Sequence, residues 1–293
     1  MPNGAGKALE PFMINALKPR YWEKYYVKSV KESRPSIVIY SAHRKVYRML
    51  NSQIQPHKPL IAAILPAYNE ELNIATVLQV LHETDILDEI ILVDDASRDR
   101  TAEIMNQAAA QDKRMQVIHL ETNQGKGQAI FNGWAATTAP YLLLLDADLK
   151  NLTPGHLRAL LVPVLDHRAD MTLGLFWGGH FNTDLSHWLT PFLTGQRGLR
   201  ADLMENISRD AGAGYGFDVA LTIAANQAGY RTRRVLLKGV WHPSSEIRPE
   251  RGGYWPGKIW KLRMYGEIIQ AWFIATRQRY PKAKTFFSTI LKQ

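Results

Sequence analysis

The feature that most constrains the fold is an alternation of short apolar runs with segments of helical spacing between residues 60 and 145. Apolar runs of this length suit buried strands, and the segments between them are long enough for helices. Strands and helices that alternate along a chain form right-handed crossovers and a parallel sheet. The sequence therefore predicts an α/β fold with a parallel sheet and flanking helices. The predicted strands are 61–65, 89–93, 115–120 and 141–145.

Asn69 is expected to cap the helix that follows the first strand, with Leu72 on the buried face of that helix. The pattern is less regular after residue 150. It predicts helices at 153–165 and 215–228 and strands at 171–176 and 233–237.

The chain divides into four predicted parts. An N-terminal extension, 1–57, is basic and rich in aromatic residues, and the α/β domain spans 58–242. The Pro- and Gly-rich stretch 243–257 is predicted to be a mobile loop that closes over the active site. The last part, 258–293, is a basic amphipathic helical segment.

The net charge of +9 is concentrated at the two ends of the chain. Residues 1–56 carry 10 Lys/Arg against 3 acids and residues 257–293 carry 8 against 1, whereas the middle of the chain is net acidic. Because the basic residues lie outside the motif-bearing middle, nucleic acid is not the expected partner. Two roles for the ends stay open: docking on an anionic membrane surface, and packing on the domain or in a homodimer interface.

The composition also limits the compartment and the metal chemistry. There is no uncharged apolar run of about 18 residues and no signal-peptide pattern, so we expect a cytoplasmic protein that can bind a membrane peripherally. The chain has no cysteine. Any metal must therefore be held by oxygen or imidazole ligands, which favours Mg²⁺ or Mn²⁺.

Polar clusters follow three of the predicted strands. They are Pro66-Ala67-Tyr68, Asp94-Asp95 and Asp146-Ala147-Asp148. Parallel sheets bind their ligands at the carboxyl ends of the strands, so these clusters should converge on one crevice.

Asp146 and Asp148 come directly after a fully apolar run. Two carboxylates in a partly desolvated crevice repel each other, and a divalent cation that also binds a diphosphate would relieve the repulsion. His242 is the candidate third ligand, and a strand-end turn is the competing interpretation of the two acids.

The other strand-end residues fit a nucleotide. Asp94 and Asp95 can accept hydrogen bonds from base and ribose, or they can cap a helix. Tyr68 can cover the base. Gly125 and Lys126 open a predicted helix, where backbone N–H groups and a lysine favour a phosphate.

Four motifs in register carry a family resemblance: P-A-Y-N-E (66–70), V-D-D-A-S-x-D-x-T (93–101), N-x-G-K-G-x-A (123–129) and L-D-A-D (145–148). In this order and spacing the chain resembles family 2 glycosyltransferases of GT-A fold. The resemblance implies that 58–242 is a glycosyltransferase domain and that Asp146 and Asp148 hold a metal-diphosphate. It also implies nucleotide contacts for Pro66, Ala67, Tyr68, Glu70, Asp95 and Lys126.

Two further motifs, T-G-Q-R-G-L-R (194–200) and G-Y-G-F-D-V (214–219), are similar to the acceptor half of polyprenyl-phosphate glycosyltransferases. The resemblance implies that the loop 194–197 lies near the donor sugar and the acceptor. Asp218 is the candidate general base for a hydroxyl acceptor; with a phosphate acceptor it would only position groups, and an acid favoured by the helix dipole is the alternative. The residues expected at the acceptor are Thr194, Gly195, Gln196, Arg197, Arg248 and Arg251, with Arg197 also a candidate catalytic residue.

We therefore expect a metal-dependent glycosyltransferase that moves a hexose from a nucleotide sugar to a lipid-linked or phosphate-bearing acceptor, with inversion. A UDP-sugar is favoured over a GDP-sugar. A soluble retaining synthase that acts on a small phosphorylated acid and a non-catalytic nucleotide-sugar-binding protein are the alternatives. No Q-x-x-R-W motif occurs, which argues against a processive polysaccharide synthase.

Overall fold

A mixed seven-stranded sheet organises the part of the chain that the computed structural model describes, residues 60–178, 193–207, 216–243 and 266. The strand order is β3-β2-β1-β4-β6-β5-β7. The strands are β1 (Ile61–Ala67), β2 (Glu89–Asp94), β3 (Met115–His119), β4 (Tyr141–Leu144), β5 (Met171–Trp177), β6 (Arg197–Arg200) and β7 (Thr232–Lys238).

Five α-helices and one 3₁₀ helix flank this sheet within the described ranges. They are α1 (Ile74–Glu83), α2 (Thr101–Gln111), α3 (Lys126–Ala135), α4 (Pro154–Leu165), α5 (Phe217–Gln227) and the 3₁₀ helix Ala201–Asn206. None of the described helices is both long and apolar enough to span a bilayer.

The first four strands confirm the predicted α/β alternation. β1 pairs with β2 and β4, and β2 pairs with β3, all in parallel. Every residue of β1 is buried, which matches its uninterrupted apolar sequence. The carboxyl ends of β1, β2 and β4 consequently meet at one edge of the sheet.

The strand β6 was not predicted from the sequence. It lies between β4 and β5 and runs antiparallel to both. Its sequence, Arg-Gly-Leu-Arg, has no apolar run, and its first residue belongs to the segment 194–197, which was expected to form a loop. Gly198 lets the strand approach α4 closely, because a Cβ there would lie 2.5 Å from the carbonyl oxygen of Leu160.

The start of α1 also differs from the sequence prediction. Asn69 does not cap the helix but has a φ of 54°, and the helix begins at Ile74. Leu72 is 64% exposed, so it is not on the buried face. The side chain of Asn69 instead accepts a hydrogen bond from the backbone N–H of Arg98, so a contact from another loop sets its conformation.

Helices cover both faces of the sheet. On one face, Phe131 of α3 and Phe217 of α5 pack edge to face with ring centroids 5.7 Å apart, in a cluster that includes Met171. The next residue along β5, Thr172, points to the other face and donates a hydrogen bond to the carbonyl oxygen of Leu160 in α4. Helices on both faces thus hold the strands whose carboxyl ends carry the polar clusters.

Arg114 ties the end of α1 to the start of β3. Its guanidinium donates to the carbonyl oxygens of Thr84 and His82 at 2.6 Å each and pairs with Asp112 at 2.6 Å. Replacing Arg114 with Ala should lower the free energy of unfolding by about 2–4 kcal/mol, because charged hydrogen bonds to partly buried acceptors are lost. Urea unfolding measures this. Arg100→Ala, which breaks the exposed pair with Glu103, should lower the free energy of unfolding far less, because solvent screens that pair.

The same pair makes part of the stability depend on pH. Hydrogen bonds from Arg114 hold the pKa of Asp112 below its ordinary value. A depressed carboxyl pKa stabilises the folded chain above the unfolded-state pKa of about 3.9, and the stabilisation is lost as the pH falls toward the folded-state pKa. The stability difference between the wild type and Arg114→Ala should therefore shrink below about pH 4. A difference that stays constant down to pH 2 would contradict this assignment.

Candidate active site

Two loops at the carboxyl ends of β1 and β2 are held together by hydrogen bonds. The segments 69–71 and 97–101 exchange five of them, and the N–H of Asp95 also donates to the carbonyl oxygen of Ala67 at 2.9 Å. The five join Asn69 N to Ser97 Oγ, Glu70 N to Thr101 Oγ1, Glu71 N to Asp99 Oδ2, Arg98 N to Asn69 Oδ1, and Arg100 N to Glu71 Oε2. These hydrogen bonds join the motifs 66–70 and 93–101 into one side of the crevice. Ser97, Asp99 and Thr101 belong to the motif 93–101 but were not among the predicted site residues.

The acids at the end of β2 order the neighbouring loops. Asp95 accepts hydrogen bonds from the backbone N–H groups of Gln124 and Gly125 at 2.7 and 2.8 Å. Burial raises the pKa of Asp95, although these two hydrogen bonds oppose the shift. Asp94 accepts from the N–H of Ser97 and lies 3.2 Å from Nδ1 of His119. Contacts of either acid with a nucleotide stay a prediction.

The predicted Gly125-Lys126 step brings a cation into the crevice. Gly125 has a φ of 84°, in the left-handed region that favours glycine, and Lys126 is the first residue of α3. The Nζ atom of Lys126 lies 2.7 Å from Oδ1 of Asp146 and 3.0 Å from Oδ2 of Asp218. Lys126 therefore joins the end of β4 to the start of α5, which is 92 residues away from it in sequence.

The loop before β6 holds the other oxygen of Asp146. The Nε2 of buried Gln196 donates to Oδ2 of Asp146 at 2.6 Å, and its Oε1 accepts from the hydroxyl of Thr194 at 2.8 Å. Gly195 lies against the same group, because a Cβ there would be 2.4 Å from Nζ of Lys126 and 2.6 Å from both carboxylate oxygens of Asp146. The motif 194–196 therefore orients Asp146.

Arg197 is fully buried and fixes the position of Asp218. Its guanidinium donates to the carbonyl oxygens of Thr194 and Asp218 at 2.9 and 2.8 Å and to the hydroxyl of Thr222 at 3.0 Å. Its Nε lies 3.9 Å from Oδ1 of Asp218. These contacts favour a positioning role over direct contact with an acceptor. Thr222, one turn after Asp218, was not among the predicted site residues.

Lys126, Asp146, Arg197 and Asp218 form what we call the ion cluster. Burial alone would lower the pKa of Lys126, but attraction by Asp146 and Asp218 outweighs it and raises that pKa. Burial opposes ionisation of Asp146, yet attraction by Lys126 lowers its pKa. Burial raises the pKa of Asp218 and lowers that of Arg197 to about 10. The cluster thus places two basic side chains beside two acidic ones.

Oδ1 of Asp218 is a buried oxygen of this cluster that has no hydrogen-bond partner within the described part of the chain. Its neighbour Oδ2 bonds to Lys126. An unpaired buried carboxylate oxygen is costly, so a hydroxyl or N–H from a ligand is a favourable addition at this atom.

A short backbone bridge holds the segment that contains His242 next to the loop that follows β4. The N–H of Lys150 donates to the carbonyl oxygen of Trp241 at 2.8 Å, and the reverse bond measures 3.3 Å. His242 lies close enough to Asp146 to contribute to its lowered pKa, and its ring packs on Phe176 at 5.6 Å. Across 60–178, 193–207 and 216–243 no three His, Asp or Glu side chains are close enough together to hold a metal by themselves. Two carboxylates suffice for Mg²⁺ or Mn²⁺ when diphosphate oxygens complete the shell.

The remaining predicted residues fall into two groups. Pro66, Ala67 and Ala147 are buried at the strand ends, while Tyr68 is 39% exposed beside them. Glu70 begins the approach to α1, where its carbonyl oxygen accepts from the N–H of Ile74. Arg248, Arg251, the extension 1–57, most of the loop 243–257 and the segment 258–293 lie outside the described residues, apart from Gly266.

Gly195 provides a test of this packing. Gly195→Ala should reduce the transfer rate by about 10²-fold, because the added methyl group separates Lys126 from Asp146 and misplaces the acid. Gly155→Ala is a matched control, since a Cβ there meets only the hydroxyl of Thr153 at 3.6 Å. Steady-state kinetics on both variants measure the transfer rate. Equal rates for the two would contradict the close packing.

The chain matches proteins of one enzyme class. The model of the family described as Glycosyl transferase family 2 matches residues 62–231. An undecaprenyl-phosphate mannosyltransferase of Micrococcus luteus is 30% identical over 217 residues, 66% of this chain and 88% of the relative. An undecaprenyl-phosphate 4-deoxy-4-formamido-L-arabinose transferase of Pseudomonas aeruginosa is 37% identical over 97 residues, 31% of this chain and 29% of the relative.

The fold also matches solved structures. Glucosyl-3-phosphoglycerate synthase from Mycobacterium tuberculosis in complex with phosphoglyceric acid is 23% identical with a TM-score of 0.59, over 74% of this chain and 80% of that one. Another structure of that synthase contains Mn²⁺, UDP-glucose and phosphoglyceric acid. This likeness confirms the predicted GT-A architecture. Because the family model covers more than half of the chain, the chain is a glycosyltransferase and belongs to glycosyl transferase family 2.

Proposed function

We propose that this glycosyltransferase moves a hexose from a nucleotide sugar, with UDP-sugars favoured, to a polyprenyl phosphate in an Mg²⁺- or Mn²⁺-dependent reaction. The observation that carries the proposal is the placement of Asp146 at the end of β4, where Lys126 and Gln196 orient its two oxygens. The Micrococcus luteus relative, named for an undecaprenyl-phosphate acceptor, supports the acceptor class.

Asp146 and Asp148 would hold the metal, and diphosphate oxygens would complete its shell, since His242 does not form a three-residue ligand set with the two acids. Carboxylate oxygens are hard donors that suit Mg²⁺ or Mn²⁺. When bound, such an ion stabilises the negative charge that develops on the departing nucleoside diphosphate. Lys126 lies beside Asp146 and can add a second positive charge for the same diphosphate.

Asp218 would position the reacting sugar. Its Oδ1 lacks a hydrogen-bond partner within the described part of the chain and can accept from a sugar hydroxyl. A phosphate acceptor is already an anion and needs no general base. We therefore propose an orienting role for Asp218 with a polyprenyl phosphate, and a single displacement that inverts the anomeric carbon. With a hydroxyl acceptor, the same carboxylate would serve as the base.

A donor and acceptor panel tests the proposal. Thermal unfolding is followed with UDP-glucose, UDP-N-acetylglucosamine and GDP-mannose, each with Mn²⁺ or with EDTA. A donor at about 100 times its Kd should stabilise the chain by about 2.7 kcal/mol, and only with the metal present. The stabilising donor is then incubated with undecaprenyl phosphate or with 3-phosphoglyceric acid, and the product's anomeric configuration is read by NMR.

The outcomes separate the alternatives. Inverted product on undecaprenyl phosphate supports the proposal. Retained product on 3-phosphoglyceric acid would replace the lipid acceptor by a small phosphorylated acid. Stabilisation that is the same in Mn²⁺ and EDTA would overturn the metal dependence.

A further inference from the structure

The edge strand β7 carries an exposed surface of mixed basic and apolar character. In the register of β5 and β7, Leu175 lies beside Leu236 and Trp177 beside Lys238. Side chains two residues apart share one face of a sheet, so Arg234, Leu236 and Lys238 lie on the same face as Trp177. We call these four residues the β7 surface. Trp177 is 55% exposed and Leu236 is 54% exposed.

Protection of a sheet edge does not explain this surface. Edge strands use lysine and arginine to prevent pairing with other chains, and Arg233, Arg234 and Lys238 meet that need. Edge protection would place polar residues at the other exposed positions as well. A large exposed tryptophan and leucine beside the charges instead mark an interaction surface.

The charges argue against a second copy of the chain as the occupant. Antiparallel pairing of two β7 strands would bring three basic side chains of one copy beside the three of the other. Like charges on adjacent strands are destabilising. No ion pair joins Arg233, Arg234 or Lys238 to an acid in the part of the chain that the structure describes. The uncompensated charge calls for an anionic occupant.

A bilayer with anionic lipids matches both the basic charge and the exposed apolar side chains of the β7 surface. Tryptophan is favoured at the level of the lipid headgroups, where its ring is partly buried and its N–H stays hydrated, and lysine and arginine are attracted to the negative surface. The surface also reaches the sheet edge that carries the active site. Trp177 and Lys238 are the last residues of β5 and β7, and both strands run parallel to β4. Docking here would bring the crevice to the headgroup level, where a lipid phosphate lies.

We propose that the β7 surface docks on an anionic membrane surface. This proposal rests on the proposed function, because docking serves the transfer only when the acceptor is lipid-linked. The docking itself is tested without donor or acceptor. It is also separate from any membrane binding by the basic ends of the chain, because it assigns the contact to named residues of the sheet.

The absence of cysteine from the chain makes a local test simple. Leu236→Cys and Lys113→Cys are each labelled with an environment-sensitive fluorophore in the full-length protein. Lys113 is exposed and precedes β3, at the opposite edge of the sheet. With vesicles of phosphatidylglycerol and phosphatidylcholine, the label at 236 should brighten, shift to shorter wavelength and be quenched by brominated lipid. The label at 113 should not respond, and neither should respond to pure phosphatidylcholine.

Charge reversal gives a second reading by vesicle sedimentation. Lys238→Glu should weaken binding to the anionic vesicles about fivefold or more, the effect expected for one basic residue at such a surface, whereas Lys113→Glu should leave it unchanged. Three results would overturn the proposal: a silent label at 236 while the protein sediments with vesicles, a response that depends on protein concentration without vesicles, and a response to polyglutamate but not to vesicles. A silent label together with normal transfer to a lipid acceptor would leave the proposed function intact.

Discussion

Replacing Asp146 with Asn is expected to lower the transfer rate by about 10²–10³-fold, the loss typical of removing one group that stabilises developing charge. The substitution keeps the side chain's shape but removes the anion that would hold the divalent ion and that pairs with Lys126 at 2.7 Å. In the proposed reaction both contacts would serve the departing diphosphate. Nucleoside diphosphate release in single-turnover experiments measures the chemical step directly.

A matched control separates this effect from a general effect of lost charge. Asp85→Asn removes an acid that is 70% exposed and pairs with Arg158 on the surface. It should leave the transfer rate within about twofold of the wild type, as expected for a surface substitution away from the site. The Asp146→Asn variant should also lose the Mn²⁺ dependence of donor-induced thermal stabilisation. A variant that keeps both the rate and that dependence would remove Asp146 from the site.

The sequence predicted the first half of the fold well because its signals are local. A fully buried parallel strand such as β1 is an unbroken apolar run, and the acids after β2 and β4 stand out against such runs. The strand β6 gave no such signal. Its four residues include two arginines, and only pairing with β4 and β5 makes them a strand. Tertiary contacts, not local propensity, decide that element.

The site was predictable in part for the same reason. The motifs predicted Lys126, Asp146 and Asp218 as site residues, and the structure brings these three side chains into contact. The burial of Arg197 could not be read from its sequence, since arginine is almost never fully buried unless it is paired. Its partners are carbonyl oxygens and a hydroxyl from two other segments. Sequence spacing does not reveal such contacts.

Replacing Arg197 with Met is expected to lower the free energy of unfolding by about 3–5 kcal/mol, the cost of removing one partner from a buried ion pair. The arginine is 0% exposed, and its loss removes the guanidinium donor from the carbonyl oxygens of Thr194 and Asp218, of which the second keeps the hydroxyl of Thr222. Asp218 then keeps Lys126 as its one cationic neighbour within the described ion cluster. Urea unfolding followed by circular dichroism gives the free energy.

Arg197→Lys distinguishes the role of charge from that of geometry. A lysine keeps the positive charge but cannot reach three separate acceptors with a planar fork, so most of the stability loss should persist. Arg200→Met, on the same strand, is the control: Arg200 is 43% exposed and pairs with Asp202 at the surface, so its loss should cost about 1 kcal/mol or less. If Arg197→Met costs no more than Arg200→Met, the buried guanidinium does not hold Asp218 and the loop 194–196 together. The positioning role assigned to Arg197 would then fail, because its main physical basis is this network of buried hydrogen bonds.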